Sequence, residues 1–170
     1  MKYFNGFSLR GEETLFEAYT SKSEYCVSGF SYGAQKALEY AYTYKGRIDK
    51  LILLSPAFFQ SQKSSFIRTQ LRYFKADEAA YVKTFLENVS FPSTSSLETY
   101  LEVGTAEELE SLLTYVWDEE KILSLKNRGV EIEMFFGKKD KIIDAQSALD
   151  FFTPLCTTYT LKDSGHLLNP

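Results

Sequence analysis

A single histidine, two cysteines and no long apolar run narrow the chemistry open to this 170-residue chain. The lone histidine is His166, and Cys26 and Cys156 lack metal-ligand spacing, so no ligand set for a zinc site is present and no metal is expected. Two cysteines without framework spacing are not a disulfide scaffold and point to a reducing compartment. Both fall in stretches that read as interior strands. Cationic residues are in no excess: 19 Lys and Arg stand against 23 Asp and Glu, a net charge of −4. The electrostatic footprint of a nucleic-acid binder is therefore missing. The longest apolar run, Leu51 to Phe59, is broken by Ser55-Pro56 and is far short of the ~20 residues that span a bilayer. Met1 to Gly6 carry no apolar core of a signal peptide. The expected location is the cytoplasm. No internal repeat or low-complexity tract is present.

What is present is enough apolar residue, 44% of the chain, to fill one core at this length. Aromatic residues reach 16%, and the pairs Phe58-Phe59, Phe135-Phe136 and Phe151-Phe152 read first as core and second as pocket lining. Lys2-Tyr3-Phe4 is a short strand ended by the turn signal Asn5-Gly6. Glu12 to Tyr19 reads as a helix, and Glu24 to Ser28 as a second strand closed by Gly29. Ala34, Ala37, Leu38 and Ala41 recur at helical spacing, predicting a helix from Tyr32 to Lys45 stopped by Gly46. Lys50 to Leu54 (KLILL) is a continuous apolar run, the signature of a parallel strand covered on both faces. Val130 to Phe136 is the fourth strand, Ala145 to Phe152 a helix, and Thr157 to Leu161 the fifth strand. Strands alternating with helices predict an α/β fold with a mostly parallel five-stranded sheet flanked by helices. Between them, residues 59–116 are polar and helical: Phe66 to Phe74, Asp77 to Val89, and Thr105 to Val116, the last opened by a Thr105/Glu108 capping box. This segment is expected to be an inserted helical cap on a core formed by residues 1–58 and 117–170.

The stretch Gly29-Phe30-Ser31-Tyr32-Gly33 is G-x-S-x-G set between a predicted strand and a predicted helix. That context marks a nucleophile elbow: a turn so sharp that only glycines, Gly29 and Gly33, relieve the crowding, with the serine lifted above the sheet. The N–H of Tyr32, at the helix start, faces the oxygen that becomes negative in acyl transfer. Serine is a weak nucleophile without a base beside it. His166 follows the last strand in Asp163-Ser164-Gly165-His166 and is the candidate base. The acid that orients it is expected to be Asp140, just past the fourth strand, with Asp144 as the runner-up and a plain solvated charge in Lys138 to Lys141 as the alternative. Ser31, Asp140 and His166 each follow a different strand, at the edge where parallel α/β sheets bind ligands.

On GFSYG, FFGKKDKII and DSGH, taken in that order, the chain resembles a minimal α/β-hydrolase over nearly its whole length. It departs at the N-terminus, where it opens at the strand that carries the family's oxyanion loop, without the strands that precede it elsewhere. Those strands lie to one side, so five contiguous parallel strands remain. The family's His-Gly-x oxyanion loop is matched by Asn5-Gly6-Phe7, which lacks the histidine. The resemblance implies the N–H of Phe7 as second oxyanion donor, while an ordinary turn at Asn5-Gly6 is the competing reading.

The start FNGF and the elbow GFSYGAQKALE resemble the compact pimeloyl-carrier-protein methyl ester esterases of bacterial biotin synthesis. The resemblance implies an acyl carrier protein bearing a pimeloyl methyl ester as substrate and partner, and no cofactor. A thioesterase or a general small-ester hydrolase with the same triad remains the alternative. Pro56 to Ala76 contain no acidic residue but hold Lys63, Arg68, Arg72 and Lys75, with Arg68 and Arg72 on one helix face. Such a face would steer an acidic carrier, or is simply a solvated helix face. Phe30, Tyr32, Phe58 and Phe59 are candidates for an acyl pocket or for core.

Overall fold

A computed structural model describes residues 1–169. One sheet runs β1 (Lys2–Phe4), β2 (Cys26–Phe30), β3 (Lys50–Leu54), β4 (Glu131–Gly137) and β5 (Thr157–Leu161), in chain order across the sheet. Every neighbouring pair is parallel. The apolar KLILL run takes the central position, where both faces are covered and Leu51 to Leu54 are buried. The polar TTYTL run takes an edge, with Tyr159 exposed.

Register decides what covers each face. Phe30, Leu54 and Phe135 are aligned across β2, β3 and β4, so their side chains share one face. Phe16 lies 4.7 Å from Phe30 and Tyr19 5.2 Å from Phe135, ring to ring, so the segment holding them covers that face. Phe136, next along β4, points the other way and meets Phe152 of α6 (Ala145–Phe152). On this second face α1 (Tyr32–Thr43) packs beside β2 and β3, with α5 (Glu119–Asn127) against it.

The connection from β3 to β4 carries α2 (Ser64–Ala76), α3 (Glu78–Ser90) and α4 (Ala106–Thr114) before α5. α2 packs on α3 and α4. Its two ends meet at a narrow neck: the Trp117 backbone N–H donates to Gln60 (2.7 Å) and the indole N–H to the Ala57 carbonyl (2.9 Å). Gln35 on α1 donates to the carbonyls of Ala57 and Leu112, both at 3.0 Å. The Thr105/Glu108 capping box is formed.

Some sequence expectations shift. The helix expected over Glu12 to Tyr19 is a single 3-10 segment, Glu12–Phe16. Gly11 before it is left-handed and offers no side-chain cap, and the Glu12 carboxyl turns inward to the Gly6 N–H instead. β2 starts two residues later than expected and runs to Phe30. α1 ends at Thr43, and Gly46 is not its stop. Arg128 supplies the cap, donating to the carbonyls of Ala41, Tyr42 and Tyr44. α4 ends at Thr114, where Tyr115 turns to an extended backbone and its hydroxyl donates to Glu39, 2.6 Å away. α5, capped by Asp118, was not anticipated. Cys26 is buried in β2, but Cys156 lies just before β5 and is only half-buried. Among the described residues no helix is long and apolar enough to cross a membrane.

Candidate active site

Three strand ends converge on one buried chain of hydrogen bonds. Ser31 sits between β2 and α1 with φ 53° and ψ −112°, a conformation that residues with a Cβ rarely adopt. Close packing enforces it. A Cβ on Gly29 would lie 2.2 Å from the Gly33 carbonyl oxygen, and one on Gly33 would lie 1.9 Å from that of Phe4. Only glycine at both positions lets β2, α1 and the end of β1 meet. The Ser31 N–H donates to the Leu54 carbonyl (2.9 Å), and its own carbonyl accepts the N–H of Ala57 (3.2 Å).

The Ser31 Oγ lies 2.8 Å from His166 Nε2, and His166 Nδ1 lies 2.6 Å from Asp140 Oδ2. The other carboxylate oxygen of Asp140 accepts the N–H groups of Ile142 (2.7 Å) and Ile143 (3.1 Å). With a carboxylate on its Nδ1 side, the imidazole carries its proton there and turns a free lone pair to Ser31. The side chains of His166 and Asp140 are 0% and 1% exposed, so this contact is screened little by water. Asp140 is thus no solvated charge. The runner-up Asp144 is elsewhere: it caps α6, accepting from the N–H groups of Gln146 and Ser147. The Ser147 hydroxyl beside it holds its carboxyl below the usual range.

The loop after β1 lies over the start of α1, in the space that Gly33 leaves. The backbone N–H groups of Tyr32 and Phe7 donate to no acceptor among the described residues. The Phe7 ring is buried against Phe74 of α2 and Phe85 of α3. The turn in this loop runs from Gly6 to Leu9, whose N–H donates to the Gly6 carbonyl, with Ser8 at φ 58°. Glu12 anchors it from below. Its Oε1 accepts the Gly6 N–H (2.7 Å) and the Tyr3 hydroxyl (3.2 Å), while Oε2 is buried without a partner. Burial raises this carboxyl. Sequence reasoning missed Glu12, because an acidic residue early in an amphipathic segment looks like a solvated first turn.

A cavity of about 870 Å³ opens between α2, α3, α4 and residues 140–144. Phe59, Phe66, Leu109, Leu112 and Ile142 give it an apolar wall, and Asp140 lines one end. Of the four aromatic side chains considered for an acyl pocket, Phe59 alone lines this cavity. Phe30 packs on Phe16 and the His166 ring, and Phe58 on Phe151 and Phe152. Tyr32 borders a separate hollow of about 260 Å³ beneath Lys36. Lys63, Arg68, Arg72 and Lys75 are exposed at or along α2. None makes an ion pair among the described residues. Among those residues no cluster of His, Cys, Asp and Glu is arranged to hold a metal.

No protein-family profile matches the chain, and no curated protein matches it. Solved structures do. An esterase from Exiguobacterium antarcticum superposes with a TM-score of 0.53 at 19% identity, over 83% of this chain and 59% of that one. MenH from S. aureus gives 0.61 at 14% identity, over 96% and 85%. BioG from Haemophilus influenzae gives 0.60 at 12% identity, over 97% and 87%. The chain thus spans less than two thirds of the esterase and most of the other two. These likenesses show that it has the α/β-hydrolase fold.

Proposed function

We propose that this chain is a serine hydrolase of carboxylic esters, with Ser31 as nucleophile, His166 as base and Asp140 as the acid that orients it. The unbroken contact from Ser31 Oγ through His166 to Asp140 carries the reading. His166 takes the Ser31 proton as Oγ attacks the ester carbonyl. The N–H groups of Tyr32 and Phe7 hold the oxyanion of the tetrahedral intermediate. His166 then protonates the departing alkoxide, and the alcohol leaves an acyl-serine. Water, deprotonated by the same imidazole, attacks that ester; the collapse returns the proton to Ser31 and releases the carboxylic acid. Ser31, His166 and water suffice for every step, and no cofactor enters.

The finer reading is that the substrate is the methyl ester of a pimeloyl chain carried on acyl carrier protein, with methanol and the free distal carboxylate as products. The sequence resemblance at FNGF and GFSYGAQKALE suggests it. The apolar cavity beneath α2, α3 and α4 is roomy enough for a medium acyl chain. In this reading residues 59–116 are a cap, and the unpaired cations Lys63, Arg68, Arg72 and Lys75 on it receive an acidic carrier. The test is the intact mass of the carrier-bound pimeloyl methyl ester after incubation, with Ser31→Ala as control. Loss of the methyl group alone, dependent on Ser31, is the expected result. Release of the whole acyl chain would mean a thioesterase, and an unchanged mass would remove this substrate.

A further inference from the structure

The residue after β3 is bonded to the backbone of the base. Ser55 is fully buried, holds φ at 41°, and donates its hydroxyl to the His166 carbonyl at 2.6 Å. Its own N–H continues the sheet to the Phe135 carbonyl (2.9 Å). Leu54 before it and Ala57 two residues after it grip the nucleophile: the Leu54 carbonyl accepts the Ser31 N–H, and the Ala57 N–H donates to the Ser31 carbonyl. The end of β3 is therefore a brace between the two partners of the Ser31–His166 contact. The chain around His166 has other ties, at the Ser164 carbonyl, which accepts from the Lys139 N–H, and at the Leu168 carbonyl, which accepts from the Tyr19 hydroxyl. Those hold the loop's ends. The Ser55 hydroxyl holds His166 itself.

The backbone at Ser55 sharpens the point. A left-handed φ in a residue with a Cβ is a strain that glycine does not carry. Glycine has no hydroxyl, however, and the hydroxyl is what reaches His166. We propose that Ser55 is a positioning residue, which sets the reach of His166 Nε2 to Ser31 Oγ by fixing the His166 carbonyl. The proposal rests on the reading of Ser31 and His166 as nucleophile and base.

Ser55→Gly tests it, since this variant relieves the backbone and deletes the donor in one change. Ser55→Cys keeps a weak donor and serves as the partial rescue. Both are measured by thermal unfolding, by kcat and KM on a p-nitrophenyl ester, and by imidazole ¹⁵N NMR. Because the chain holds one histidine, those signals need no assignment. The expected result is a folded Ser55→Gly protein with kcat down roughly 10- to 100-fold, as for a misplaced catalytic group, and KM within about twofold. Its Nδ1–H proton should exchange faster with water than in the wild type, and Ser55→Cys should fall between the two. A Ser55→Gly protein with wild-type kcat and an unchanged Nδ1–H signal overturns the proposal. So does a Ser55→Cys protein as impaired as Ser55→Gly. A wild-type protein that turns over no ester would sink the hydrolase reading instead, while the exchange of the Nδ1–H would still report on Ser55.

Discussion

Replacing Asp140 by Asn tests the electrostatic logic of the site while changing almost none of its shape. Asp140 Oδ1 accepts two backbone N–H groups, from Ile142 and Ile143, and Oδ2 meets His166 Nδ1. In the variant the amide oxygen must stay on the two backbone donors, because turning it would set an NH₂ against two N–H groups in a buried site. The NH₂ is then forced toward Nδ1. Nδ1 must become an acceptor, so the imidazole proton moves to Nε2, where it points at Ser31 Oγ and blocks proton removal. The expected loss is about 10⁴-fold in kcat at neutral pH, or about 5 kcal/mol of transition-state stabilisation. The melting temperature should change by no more than a few degrees, since the contacts are preserved. Steady-state hydrolysis of a p-nitrophenyl ester reads the first quantity and thermal unfolding the second. A folded Asp140→Asn protein within tenfold of wild-type kcat would refute the reasoning. The comparison is Asp144→Asn, which caps α6 and lies at the cavity wall but makes no hydrogen bond to His166, so kcat should stay within about tenfold.

Three further outcomes follow from the geometry. Gly33→Ala places a methyl 1.9 Å from the Phe4 carbonyl oxygen and 2.6 Å from that of Asn5. The strand end carrying Phe7 must therefore shift, and kcat on a small ester should fall on the order of 100-fold, the loss typical of one oxyanion donor. Glu12→Gln should flatten the acid side of the stability profile. Burial, with the Glu13 charge nearby, raises the Glu12 carboxyl against the opposing pull of the Gly6 N–H and the Tyr3 hydroxyl that donate to it, so the folded state holds that proton above the unfolded value. The stability it contributes is present at low pH and is lost as pH rises out of the ordinary carboxylate range. Melting curves from about pH 4 to about pH 7 should move in favour of the Gln variant, and parallel curves would reject this. Arg68→Glu with Arg72→Glu should lower kcat/KM on carrier-bound ester several-fold and weaken its salt dependence, yet leave a p-nitrophenyl ester unaffected.

The fold was legible because its signals are local. KLILL, five residues bounded by polar ones, suits a covered strand, and Ala34, Ala37, Leu38 and Ala41 mark one helix face. Ser31, Asp140 and His166 could be placed together because each follows a strand whose direction the α/β alternation dictates. What escaped depends on contacts that no local pattern encodes. α1 is ended by Arg128, more than 80 residues away, so the nearby Gly46 was a misleading stop. Glu12 and Ser55 act through bonds to Gly6 and to the His166 carbonyl, and no periodicity announces a buried side chain that bonds one backbone atom. Phe30, Tyr32, Phe58 and Phe59 stayed open between acyl pocket and core, and only Phe59 lines the cavity, because adjacency to motifs does not build one. Its walls come instead from helices whose packing on residues 140–144 only the folded chain reveals.

The central claim is that Ser31 is a nucleophile activated by His166. Treatment with a fluorophosphonate, followed by intact-mass and peptide analysis, tests it without knowledge of the substrate. One adduct per chain, mapped to Ser31, absent in Ser31→Ala and formed far more slowly in His166→Ala, is the result the account predicts. A folded wild-type protein that takes up no label, or that is labelled at another residue, would contradict it.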